Sequence, residues 1–559
     1  MKPLSIREIH EGRHILVAGG SGFLGKVWLA MVLQRIPDIG RLYVLMRGKG
    51  RDPRVRFEKM LTESYVFKTL HDALGESASE YISRRVEIIE GDVSAPDLAL
   101  DPAIAQRLRG KLDLVVNFAG LVDFNPDIRE AVSANIDGAL YVADFVESCA
   151  NARLVHVSTC YVAGHRDGLI EETLLDESPN GQPMVAKDEL ANARRIIGET
   201  AAENDSAEVE AKLHGEVIAR IQSRGQDPTQ KRVAGMVGRL KRKRLRGMMS
   251  KAGTDRALEL GWPNTYTYTK ALAESLLAER TELVHAVFRP AIVESAREYP
   301  FGGWNEGFNT SGPLVYIAQT WFHHVPAMPG NPLDVIPVDD VCKGLLVVGA
   351  ALLENQHKPI YQCGTSDLNL FPIDRLVELS ALGNRRYLRK HGANALERLV
   401  MSRWDTTAAD PEHMLNLGNI RALLKQLARY LRHGRPDKLP SEVLEASDSL
   451  ADASDTANRK LRQIEDVLDL FQPFIHDHYL VLRCRAIQSH TVVEPEFRFA
   501  PEELDWRRYW IDTHMPGLRR WCFPQFENTE REIFAPQFPF KLISTPEPAA
   551  TDQPREDVG

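Results

Sequence analysis

Three features of this sequence predict an α/β chain built on a Rossmann-type doubly wound parallel sheet, with a helical insertion and an α-rich C-terminal part. Short aliphatic runs alternate with amphipathic stretches from residue 14 to about 120 and return near 152 and 283. A glycine loop joins the first run to a helix-like segment. The alternation stops between about 167 and 256, and again after about 371, where charged helical sequence takes over. Parallel neighbours need crossovers of a dozen or more residues, and the intervening stretches supply them.

In order, the predicted strands are HILVAG from His14, RLYVLM from Arg41, RVEIIEG from Arg85, LDLVVNFAG from Leu112, ARLVHVST from Ala152 and LVHAVFRP from Leu283. Six strands suffice for a sheet that takes a dinucleotide at the carboxyl ends of its strands. We divide the chain into a cofactor-binding part at 1–370 carrying an insertion at about 168–255, an α-rich part at 371–545, and a tail at 546–559. In the α-rich part, helical sequence is interrupted by a polar stretch from His433 to Thr456. The tail is Pro-rich and acidic with no apolar period, and it reads as disordered.

Composition narrows the function. With 69 Lys+Arg against 77 Asp+Glu, the formal charge of −8 gives nothing global to attract nucleic acid. The six cysteines are widely spaced, and neither CxxC nor HExxH spacing occurs, so a reduced, metal-free cytoplasmic enzyme is expected. His323-His324 has no third ligand nearby. The longest apolar stretch, from Gly344 to Leu353, is about half of the roughly 20 residues a membrane span needs. Any membrane contact is therefore expected to be peripheral.

The loop after the first strand, AGGSGFLG, places Gly19, Gly22 and Gly25 where a tight turn, a close backbone approach to a pyrophosphate and helix packing each favour glycine. Phe23 and Leu24 open the helix that follows. At the end of the second strand, where an acidic residue would select NAD, stand Arg47 and Lys49. Cations there suit a 2′-phosphate and predict NADPH. Asp92 and Val93 after the third strand are candidates for the adenine edge, and Asn117 and Ala119 after the fourth for the diphosphate.

The catalytic candidates are Thr159, Tyr266 and Lys270. Tyr266 and Lys270 are four apart and share a helix face, where an ammonium would pull the phenol pKa down from about 10 and make it a proton donor. Thr159 would hydrogen-bond the reacting oxygen, with Ser158 the neighbouring alternative. Tyr268 has Leu272 four residues on and so lacks such a partner.

This combination resembles the extended short-chain dehydrogenase/reductase superfamily. Within it, GWPNTYTYTK from Gly261, VSTCYVAG from Val157, RPAIV from Arg289 and DVIPVD from Asp334 resemble the motifs of the fatty acyl-CoA reductases. The segment 300–304, PFGGW, resembles their PGW element with two extra residues, and LDWRRYW from Leu504 and HMPG from His514 resemble their closing elements. The resemblance spans about 12–530. It implies that Pro290 and Ile292 lie against the nicotinamide, and that NADPH reduces a long-chain acyl-CoA thioester through an aldehyde to an alcohol. The alternatives are a thioester reductase that releases the aldehyde and a non-catalytic NADP(H)-sensing scaffold. Asp448-Ser449-Leu450 resembles a carrier attachment triplet but sits in the polar stretch without the flanking glycine.

The segment 231–249 is strongly basic, with Val233, Met236, Val237 and Leu240 at helical spacing. Three readings are open: a solvated helix packed on the insertion's own core, a site for CoA phosphates, and a contact with a membrane surface.

Overall fold

The computed structural model describes residues 2–48, 50–174, 177–306, 311–317, 324–326, 328–391, 407–409, 417–434, 441–475, 479–526, 530, 532 and 534–543. Lys49, His323 and the tail at 546–559 lie outside the described residues.

The core is a seven-stranded sheet of β1 (His14–Ala18), β2 (Arg41–Met46), β3 (Val86–Glu90), β4 (Leu114–Asn117), β5 (Arg153–Val157), β6 (His285–Pro290) and β7 (Ile360–Cys363). Its order is β3-β2-β1-β4-β5-β6-β7, and every pair is parallel. The direction of winding reverses between β1 and β4, the switch point at which such sheets bind nucleotides. The six predicted strands are present. The seventh, IYQC, is too short to show a period and carries a glutamine. It forms because Ile360 to Cys363 pair with Val287 to Pro290 and are all buried.

The labelled helices are α1 (Phe23–Arg35), α2 (Gly138–Glu147), α3 (Ala186–Asn204), α4 (Ala207–Gln222), α5 (Gln230–Glu259), α6 (Thr265–Ala278), α7 (Val338–Leu353), α8 (Ile373–His391), α9 (Leu417–Arg429) and α10 (Ser441–Ile475). Strand side chains alternate between two apolar layers. Ile15, Val17, Leu42, Val44 and Val116 meet α1 and α7 on one face, while Leu16, Ala18, Tyr43, Leu45 and Val115 meet α2 and α6 on the other. The long apolar run is thus α7, buried over nearly its whole length. Among the described residues, no helix is long and apolar enough to cross a membrane.

The insertion carries α3, α4 and α5. Val233 and Val237 of α5 are buried against Leu213, Val217 and Ile221 of α4 in a small core of their own, with Met236 and Leu240 packed on it. The apolar stripe of the basic segment is therefore used internally.

One expectation is corrected in the C-terminal part. The stretch from His433 to Thr456 does not form a polar interruption throughout, because α10 begins at Ser441. Its polar residues line the exposed side of a helix paired with α9, and Arg432 binds Asp452 at 2.6 Å and Asp455 at 2.5 Å. Asp448-Ser449-Leu450 lies on that exposed side. The chain then returns to the sheet domain. Leu480–Leu482 pairs in parallel with Gly168–Ile170, and Glu494 accepts the amides of Ile6 and Arg7 at 2.9 and 3.0 Å.

Candidate active site

The glycine loop crosses the switch point at close range. Gly19 has φ +78°, and a Cβ there would stand 2.6 Å from the Ala119 amide nitrogen; a Cβ on Gly25 would stand 2.7 Å from the Gly19 carbonyl. Only glycine permits both the turn and this approach. Gly22 caps α1 without a side chain, which leaves the amides of the first turn for an anion. This cradle fits a dinucleotide pyrophosphate. Phe23 stacks on Trp304 at 5.2 Å, and Leu24 packs against the core.

Beyond β2 and β3, Arg47 and Asp92 meet at 4.0 Å across the sheet edge, with the Arg47 side chain 55 % exposed. Asp92 also accepts the Ser94 amide and hydroxyl at 3.0 and 2.6 Å, which fixes the turn around Val93. Asn117, buried at the end of β4, accepts the Ala119 amide at 3.0 Å and so shapes the opposite wall.

Two motif segments are locked together around the catalytic candidates. The Trp262 indole donates to the Val162 carbonyl at 2.8 Å, and the His165 amide donates to the Gly261 carbonyl at 2.9 Å. Asn264 caps α6 by accepting the Thr267 amide at 2.9 Å, so Tyr266 stands on its first turn and Lys270 on its second. Thr159 accepts the Tyr161 amide at 3.3 Å, and its side chain lies beside the Tyr266 phenol, near enough to lower the phenol pKa. Ser158 is also buried, and among the described residues its Oγ has no hydrogen-bond partner, so both hydroxyls that the sequence offers stand at the site. Lys270 donates from Nζ to the Val157 carbonyl at 2.7 Å beside Gly120.

The electrostatics differ from the expected direction. Burial pushes the Tyr266 phenol up to about 12, opposed by the Thr159 side chain. Burial also lowers Lys270 to about 8, opposed by Glu274. The ammonium is turned to a backbone carbonyl, and desolvation governs both groups. A phenol held this high keeps its proton at neutral pH, the form in which it can donate.

Other motif residues turn out to be structural. Arg289 is buried in an ion pair with Glu274 at 2.5 Å. Asp334 accepts the amides of Thr365 and Ser366 at 2.7 and 2.9 Å, and Asp339 accepts those of Arg297, Glu298 and Tyr299. Pro290 ends β6 beside Ser158, whose amide donates to Phe288 at 2.7 Å. Ile292 begins the short strand Ile292–Glu294, which pairs with Val335–Pro337. The PFGGW loop closes on the HMPG segment so tightly that a Cβ on Gly517 would overlap the Gly303 carbonyl. Tyr268 donates to Glu189 at 2.5 Å, and Glu189 pairs with Arg256 at 2.5 Å, so this phenol ties α6 to the insertion.

Sequence reasoning missed Asn135 and Phe124. Buried Asn135 accepts the Leu121 amide at 2.7 Å and donates to Thr269 at 3.0 Å, joining the end of β4 to α6. The Phe124 ring lies 6.3 Å from Tyr266, and its carbonyl accepts the Tyr266 amide at 3.3 Å. Neither stands in a motif, and an asparagine inside helical sequence gives no signal of burial. Among the described residues no cluster of three His, Cys, Asp or Glu could hold a metal.

The family described as Male sterility protein, an NAD-binding domain family, matches residues 17–345. The protein named "Alcohol-forming fatty acyl-CoA reductase" from Simmondsia chinensis is 27% identical over 534 residues, covering 92% of this chain and 98% of its own. "Fatty acyl-CoA reductase 1" from Arabidopsis thaliana is 27% identical over 530 residues, covering 90% and 96%. Among solved structures, the terminal R domain from the myxalamid PKS-NRPS pathway superposes with a TM-score of 0.54 at 16% identity, covering 94% of this chain and 96% of that one, which is a likeness of fold.

Proposed function

From the premise that this chain belongs to the Male sterility protein family, we propose that it is an NADPH-dependent, alcohol-forming fatty acyl-CoA reductase. The long-chain acyl-CoA thioester is reduced to the aldehyde with release of CoA, and the aldehyde to the alcohol. The observation that carries the reading is the meeting of Thr159, just past the end of β5, with Tyr266 on the first turn of α6, whose Lys270 one turn further on donates to the Val157 carbonyl at 2.7 Å. The names of the Simmondsia and Arabidopsis relatives supply the substrate class.

In this reading, residues 1–370 hold the cofactor and the insertion at about 168–255, and 371–545 form the second part. Gly19, Gly22, Phe23, Leu24 and Gly25 cradle the pyrophosphate, Asn117 and Ala119 line it, Asp92 and Val93 flank the adenine, Arg47 and Lys49 take the 2′-phosphate, and Pro290 and Ile292 face the nicotinamide. When bound, the dinucleotide supplies a hydride to the carbonyl carbon. Thr159 and Tyr266 hold the carbonyl oxygen by hydrogen bonds that strengthen as charge develops on it. The carbon–sulfur bond then breaks, CoA leaves as the thiolate, and the oxygen returns to a carbonyl. In the second reduction Tyr266 gives its proton to the alkoxide oxygen, and Lys270 stabilises the phenolate left behind.

The test is incubation of purified protein with NADPH and palmitoyl-CoA, with product analysis. Hexadecanol with two NADPH oxidised per CoA released is expected. Hexadecanal at one NADPH per CoA would make the chain an aldehyde-releasing reductase, and no oxidation would overturn the reading.

A further inference from the structure

The basic helix of the insertion carries a feature that the reductase chemistry does not use. Between Gln230 and Thr254, α5 has no acidic residue, and its cations from 239 to 246 fall into two sets. Lys241 and Arg244 are tied to neighbouring helices: Lys241 to Asp205 at 3.1 Å and Glu210 at 3.7 Å, and Arg244 to Glu203 at 3.4 Å. Arg239, Arg242, Lys243 and Arg246 are exposed and form no ion pair among the described residues.

Their placement on the helix relates them to the active site. With 3.6 residues per turn, Arg239, Lys243 and Arg246 lie within about 40° of Ser250 around the helix axis. Ser250 donates to the Asn125 carbonyl at 2.6 Å, and Thr254, one turn on, meets the Asn125 side chain at 3.1 Å. Asn125 follows Phe124, which lies against Tyr266. The helix face that grips the loop over the phenol therefore continues into solvent and there presents three unpaired cations. They stand roughly 6 to 17 Å along the axis from Ser250, at about 1.5 Å per residue.

We propose that this face binds the phosphate-bearing half of the thioester donor, with the CoA phosphates on Arg239, Lys243 and Arg246 and the pantetheine arm running back along α5 to the thioester. The proposal rests on the acyl-CoA reading and adds the site for the nucleotide end of that substrate. A protein of net charge −8 repels a polyanion in general, so a row of cations on a helical stretch with no acidic residue of its own, beside which Glu203, Asp205 and Glu210 are taken up by Lys241 and Arg244, is where one would dock. A membrane contact would use apolar side chains beside the cations, but Val233 and Val237 are buried in the insertion's own core.

The test is the combined variant Arg239→Gln, Lys243→Gln, Arg246→Gln. For palmitoyl-CoA, KM should rise about ten- to hundredfold with kcat within about twofold, and kcat/KM should depend less steeply on salt. With S-palmitoyl-N-acetylcysteamine, a thioester without phosphates, variant and wild type should match. An unchanged KM for palmitoyl-CoA overturns the proposal, as does an equal loss on both substrates. Pelleting of wild type but not variant with phosphatidylglycerol vesicles, at unchanged KM, assigns the face to lipid and also overturns it. Should wild type reduce neither thioester, the reductase reading fails. Calorimetric titration with free CoA then tests the cationic face by itself, and equal affinities for wild type and variant overturn the proposal.

Discussion

Two buried polar clusters in this molecule serve opposite ends. Thr159, Tyr266 and Lys270 sit at the carboxyl edge of the sheet, beside a serine hydroxyl with no hydrogen-bond partner among the described residues. Glu294, Ser295, Ser311 and His514 form the second cluster, between the strand after β6 and the C-terminal HMPG segment. The His514 Nδ1 meets the Ser295 hydroxyl at 2.9 Å and its Nε2 the Ser311 hydroxyl at 3.1 Å. The Ser311 amide donates to Glu294 at 2.8 Å, Asn305 donates to Ser295 at 3.0 Å, and Tyr509 donates to the Ser295 carbonyl at 2.6 Å. Burial holds His514 down at about 3, so the imidazole is neutral, with one ring nitrogen donating and the other accepting. A serine–histidine–carboxylate set suggests nucleophilic catalysis on paper. Here it is a tie between the strand after β6 and the C-terminal motif. Residue type does not separate a reactive site from a structural knot; the second cluster's serine hydroxyls and both His514 ring nitrogens are engaged by the protein itself, whereas among the described residues the Ser158 hydroxyl has no partner.

Tyr266→Phe breaks the comparison most sharply. It should lower kcat by about a thousandfold through loss of the proton donor, while NADPH affinity by fluorescence titration stays within about twofold. Wild-type turnover in that variant would remove the phenol from the chemistry. His514→Ala should do the converse. It strands two buried hydroxyls and a carboxylate, costing about 2–4 kcal/mol in urea unfolding, and under conditions where the variant is folded it should retain kcat.

The pH profile sharpens the assignment further. If the ammonium of Lys270 assists reduction, activity is level below its value of about 8 and falls about tenfold per unit above it as the proton leaves. If the phenol governed the profile, no fall would appear until near 12. Arg47→Ala should weaken NADPH about tenfold and NADH hardly at all, because an exposed cation contributes modestly and its loss also frees Asp92 to repel the 2′-phosphate. Equal losses would show that Arg47 serves the fold. Tyr268→Phe should be the mildest, costing about 1 kcal/mol through the lost bond to Glu189 and leaving kcat within about twofold.

The sequence by itself determined what depends on neighbours along the chain. Six strands, the glycine loop and the four-residue spacing of Tyr266 and Lys270 on one helix face are all local patterns of period and turn chemistry. Even α10 follows that rule: its polar face was visible, but reading solvent exposure as irregular structure hid a helix whose ion pairs lie on α9's continuation. Tertiary structure alone decided the rest. The seventh strand exists because β6 offers an edge and the core covers it. The Tyr266 phenol rises instead of falling because burial, a property of the packed fold, outweighs a lysine one turn away. Arg289, Asp334 and Asp339 stand in the most recognisable motifs yet bind the protein's own backbone and side chains. Desolvation and the satisfaction of buried polar groups depend on which distant segments meet, and that information lies in the folded packing of the whole chain.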